Sequence, residues 1–151
     1  MPKLTRQGLE IELPEGWDAR IYRREVDDAV DVSRRALHAA NFALPTNLGD
    51  YAVGAAERMT AGDVLVVLLE FDPDSAGQGL FGNEGLPSGL SATDFSPTAM
   101  PRAMPGRTAA QWFFSLDGRA FCLYVVLGSH NQRAAMMPIV NQVVETLKID
   151  Q

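Results

Sequence analysis

The residues that most invite a chemical reading lie between positions 72 and 84. Asp72-Pro73-Asp74-Ser75-Ala76-Gly77 opens like a calcium loop, with carboxylates two apart and a glycine at the sixth position. The pattern then fails: position five is Ala76, and position twelve is Asn83 instead of a bidentate glutamate. Gly77-Gln78-Gly79-Leu80-Phe81-Gly82 matches G-x-G-x-x-G. A phosphate-cradling loop must nevertheless leave a strand and open a long helix, and no helical pattern follows in residues 83–106. Gly128-Ser129-His130 sets a serine beside a histidine, but chain neighbours do not point at each other, so this is no catalytic dyad. The chain has two histidines, His38 and His130, and one cysteine. They have no metal-ligand spacing and form no zinc set. Cys122, between Phe121 and Leu123, is expected to be a buried, unreactive thiol. No catalytic residue, cofactor or metal is expected.

The elements that would have to position any site can be read from period and punctuation. Gly8-Leu9-Glu10-Ile11-Glu12-Leu13 alternates and predicts a half-buried strand. Pro14-Glu15-Gly16 makes a turn, and residues 19–23 a second strand. Residues 25–33 are acidic and weakly patterned, a loop or short helical turn. Residues 36–44 read as a third strand, with a helix as the alternative because they are rich in alanine; Pro45 ends either. Asn47 is placed as the cap of a helix running to Met59, which stops at Thr60-Ala61-Gly62-Asp63.

Residues 64–71, Val-Leu-Val-Val-Leu-Leu-Glu-Phe, are apolar on both faces and predict a central strand covered from both sides. Residues 107–116 and 119–127 flank Asp117-Gly118, the dipeptide suited to a tight hairpin turn. Residues 131–147 carry Ile139, Val140, Val143, Val144 and Leu147 at helical spacing. Pro138 should kink that helix or begin a second one.

Between Phe71 and Arg107 lie 35 residues without clear period, rich in Gly and Pro. Loops of that length inside a compact domain are usually functional. Leu80, Phe81, Leu86, Leu90, Phe95, Met100 and Met104 punctuate it like pegs, and several are expected to dock on the sheet or cover its edge. The functional expectation is an adaptable apolar contact surface for a protein partner, formed by Phe81, Phe95, Met100 and Met104. The structural alternative is a wrap over the open side of the sheet.

Charge narrows the partner. Residues 36–106 hold 8 acidic and 2 basic groups, net −6, whereas residues 1–35 are net −1 and residues 107–151 net +1. An acidic middle argues against nucleic acid, which is bound by displacing counterions with Lys and Arg. Two basic pairs, Arg23-Arg24 and Arg34-Arg35, are expected to be neutralised by Glu25, Asp27, Asp28 and Asp31. The aliphatic run at 64–69 is six residues, against about 20 for a membrane helix. With no secretion signal at the N-terminus, a soluble, cytoplasmic protein is expected.

The expected architecture is one α+β domain spanning residues 1–151, a single antiparallel sheet with helical cover on each face. The element order β-β-β-α-β-loop-β-β-α and the turn Leu13-Pro14-x-Gly16-Trp17 resemble the PsbP-like fold. That resemblance implies an accessory or binding protein without catalysis and transfers no functional residue. Two functions follow as expectations. One is a non-enzymatic binding or assembly module working through loop 72–106. The other is an enzyme or small-ligand carrier with a pocket between sheet and loop, using His38, Asn41, Asp72, Asp74 and Glu84.

Overall fold

A computed structural model describes residues 3–25, 33–46, 53–99 and 104–150. Within them the order is β1 (Lys3–Arg6), β2 (Leu9–Glu12), β3 (Asp18–Glu25), β4 (Ser33–Ala40), α1 (Val53–Glu57), β5 (Val64–Phe71), β6 (Thr108–Leu116), β7 (Arg119–Leu127), α2 (Arg133–Val144) and β8 (Lys148–Ile149). Of the acidic loop expected at 25–33, Glu25 ends β3 and Ser33 begins β4, and residues 26–32 lie outside the described set, as do the helix cap Asn47 and the peg Met100.

The single helix-flanked sheet is corrected. The strands form two antiparallel sheets, a five-stranded one ordered β3-β4-β5-β7-β6 and a three-stranded one ordered β1-β2-β8. The mostly β character has three local causes. Residues 36–40 belong to β4 and not to a helix: their backbone pairs with β3 on one side and β5 on the other, and alternate residues enter opposite cores. β1 has one apolar residue, Leu4, and so carries no period to read. It forms because Gln7 and Gly8 take positive φ (55° and 76°), which reverses the chain in a tight hairpin onto β2. β8 is two residues long and pairs with β2 through Leu9 and Glu10, closing the small sheet with the end of the chain.

The central strand of the large sheet is β5, buried along nearly its whole length and bonded to β4 on one side and β7 on the other. Its alternate residues serve two cores. Val64, Val66 and Leu68 face the small sheet (Leu9, Ile11), α2 (Val140, Val143, Val144) and the loop residues Leu90 and Phe95. Leu65, Val67 and Leu69 face α1 (Ala55, Ala56, Met59), Leu44 and Met104. Both faces are therefore roofed, one by a sheet, a helix and loop together and the other by a short helix and loop. The β6–β7 hairpin turns at Asp117-Gly118, both at positive φ (51° and 78°), as the dipeptide predicts. β6 is one edge of the sheet and β3 the other.

Pro138 lies inside α2 on its exposed side, and the helix runs through it. The proline ring faces solvent, where a missing N–H displaces no packing; Met136, Met137 and Val140 hold the helix down from the other side.

Candidate functional site

The long loop does two mechanical jobs before it presents any surface. It caps the edge of β6: Ser96 exchanges both backbone hydrogen bonds with Ala109 (2.9 and 3.1 Å), while Ser115 donates to the Asn83 carbonyl and accepts from the Gly85 amide (both 2.7 Å). An exposed edge is a template for unwanted pairing, and the loop blocks it at both ends. It also fills both cores. Phe95 is buried edge-on to Trp112, ring centroids 6.0 Å apart, and Met104 is buried on the opposite face. Phe81 is half-buried between Phe71 and Phe113, at 5.6 and 5.5 Å. Of the residues expected at a partner surface, Phe95 and Met104 thus lie inside the protein, Phe81 is a wedge, and Met100 is outside the described residues.

What the loop does present is its first part. Two single 3₁₀ turns, Pro73–Ser75 and Gly79–Phe81, follow β5. They are pinned from beneath by Ser115, whose hydroxyl accepts from the Gly77 amide (2.7 Å) and donates to the Phe81 carbonyl. Phe81 points inward from the second turn and Leu80 outward. Leu80 is 69 % exposed, the one large apolar side chain left in solvent among the described residues. Beside it is a shallow, open basin of about 440 Å³ lined by Asp72, Asp74, Ser75, Gln78, Gly79, Leu80 and Phe81. The Asp72 carboxylate accepts the Asp74 amide (2.9 Å), a local turn bond that leaves oxygen lone pairs facing water. The Asp72-x-Asp74 spacing thus lies in a 3₁₀ turn closed by that bond. The glycines of the G-x-G-x-x-G match border a single 3₁₀ turn, with no helix behind it.

The five polar groups of the pocket reading do not converge. His38 is fully buried on β4 with its Nε2 3.1 Å from the Tyr22 hydroxyl and the two rings stacked. Asn41 ties the end of β4 to the start of β5, accepting from the Val64 amide and donating to the Gly62 carbonyl. Glu84 accepts the Asp117 amide at the far hairpin turn. Only Asp72 and Asp74 share the basin. Ser129 and His130 are likewise occupied separately, Ser129 with the Gln132 amide and His130 with Thr108. Burial pushes the Cys122 thiol up to about 12, only partly offset by the Trp112 backbone, so it carries no nucleophilic thiolate at neutral pH.

The feature that pattern reading missed is ionic and internal. Glu70, near the end of β5, lies between Arg119 of β7 (2.9 Å) and Arg35 of β4 (3.2 Å) and also accepts the Arg35 amide. Arg119 reaches on to the Asp150 carbonyl (2.8 Å), and Asp150 bonds the Gly8 carbonyl through its own amide (2.7 Å). The chain of contacts clips the C-terminal end and the small sheet to the large one. Arg35 is thus paired with Glu70; the acidic residues Asp27, Asp28 and Asp31 expected to neutralise it lie outside the described residues. The available signal was a lone carboxylate in a strand whose neighbours are all apolar, which requires a buried partner. No helix among the described residues is long and apolar enough to cross a membrane. No protein-family model, curated protein or solved structure matches this chain.

Proposed function

We propose that this chain is a non-enzymatic binding module that meets a protein partner through the first part of its long loop, residues 72–81. The reading rests on Leu80. Burying a leucine side chain is worth about 1.5–3 kcal/mol, and the 3₁₀ turn that exposes it is held rigid by Ser115 below and by the Phe81 wedge behind. A surface apolar group on a pre-ordered turn loses little conformational entropy when it is covered, which favours a contact role. The accessory role implied by the PsbP-like resemblance points the same way. We place the module in the cytoplasm, where an unpaired thiol such as Cys122 is the norm. The enzyme or carrier reading draws less support, since three of its five polar groups are engaged elsewhere in the fold.

The test is positional. A photo-crosslinking residue replaces Leu80 in one version of the full chain and Gln142, exposed on α2, in another. Irradiation in cells of the source organism should give a discrete adduct from position 80 that position 142 does not give. The same products from both positions, or none from position 80, overturn the proposal.

A further inference from the structure

We infer that the segment received at residues 72–81 is a short cationic peptide stretch bearing an apolar anchor: Lys or Arg against Asp72 and Asp74, a Leu- or Phe-sized neighbour on Leu80 and Phe81. This rests on the binding reading and names the chemistry of its partner. Charge complementarity on the shallow basin selects this partner. Asp72 and Asp74 lie on the basin's rim, both exposed, and neither is in an ion pair among the described residues. Two other carboxylates are compensated: Glu70 is held by two arginines and Glu10 by Lys3 and Lys148. The rim is thus negative and uncompensated, beside the exposed Leu80 and half-buried Phe81. An anionic partner such as nucleic acid or an acidic lipid headgroup would be repelled there, and a purely apolar one would strip water from the carboxylates with nothing in return. A second copy of the chain would have to bring its own cations to this rim; self-association is therefore an outcome that the experiment distinguishes.

The experiment is an amide-resolved NMR titration of the full chain. Three end-blocked hexapeptides serve as probes: alternating Leu and Arg, alternating Leu and Glu, and alternating Ser and Arg. The Leu/Arg peptide should give saturable shifts clustered at residues 72–81, and the other two much weaker ones. Exposed ion pairs are individually worth only a few-fold, so Asp72→Asn with Asp74→Asn should weaken binding about 5- to 10-fold. That loss should shrink as salt is raised. Leu80→Ser should weaken it about tenfold or more. Shifts scattered over the surface and indifferent to Leu80→Ser overturn the inference, as do equal binding of the Leu/Glu peptide, no saturable shift, or shifts that track protein concentration without peptide. A site-specific crosslink at position 80 with no response to the Leu/Arg peptide would leave the contact reading standing and sink only the cationic partner.

Discussion

At Gly128 a single hydrogen atom decides whether two segments can meet. The residue closes β7, and its amide donates to the Asp63 carbonyl (2.9 Å). A Cβ built there would stand 1.7 Å from the Thr60 carbonyl oxygen and 2.7 Å from its carbon. The obstacle is backbone, in a turn that Asp63 holds shut by accepting from both the amide and the hydroxyl of Thr60. Ordinary overpacking costs about 1–3 kcal/mol, and here there is no side chain to swing aside. Gly128→Ala is therefore expected to cost about 3 kcal/mol or more in urea unfolding. Gly62→Ala, in the same turn with nothing within 4 Å of its new methyl, should stay near the parent. Equal midpoints for the two variants would contradict this account. Several arginines show a related economy: Arg20 binds the carbonyls of Leu44, Pro45 and Thr46, Arg107 those of Glu57 and Met59, and Arg133 those of Ala92 and His130. Multiple fixed N–H groups let one side chain satisfy carbonyls that turns and helix ends leave over.

Among the elements, β5 carries a buried carboxylate, Glu70. Burial raises the Glu70 pKa, but Arg119 and Arg35 outweigh it and hold the carboxyl below its ordinary value. A carboxylate with a lowered folded pKa adds stability that is complete above the unfolded value, near 4.3, and is lost as pH falls through the folded one. Hydrogen bonds to charged groups contribute about 1.5–3 kcal/mol, so Glu70→Gln should cost about that at pH 7. The gap between parent and variant should narrow as pH is lowered below about 4. Urea midpoints taken from pH 7 to pH 3 measure it, and a gap that does not change with pH would remove the assigned role. β6–β7 was legible because Asp117-Gly118 marks its turn and both arms are apolar. β1 and β8 were not, since four and two residues are too few to show a period and both are held by pairing with β2.

For the whole molecule, the long loop is at once a structural wrap and a display surface, and the two roles fall on different residues. Phe95, buried against Trp112 between the large sheet and α2, belongs to the wrap. Phe95→Ala is expected to cost about 3–5 kcal/mol, while Leu80→Ser, in solvent, should stay within about 0.5 kcal/mol. Chemical denaturation of both variants checks the division; a large loss from Leu80→Ser would show that the exposed turn is part of the fold's support and not a free surface.

Period, turn dipeptides and charge, all local properties, determined that this chain has a doubly buried strand at 64–71, a hairpin at Asp117-Gly118, a C-terminal helix and an acidic middle. Only tertiary structure decided that the strands divide into two sheets and that β6 is an edge the loop must cap. The same holds for the inward course of Phe95 and Met104, the outward one of Leu80, and the pairing of Glu70 with arginines 35 and 49 positions away. The reason is range: a residue's period reflects its immediate neighbours, whereas burial and ion pairing depend on segments brought together from distant parts of the chain, and an aperiodic loop carries no local mark of which of its apolar residues will find a place inside.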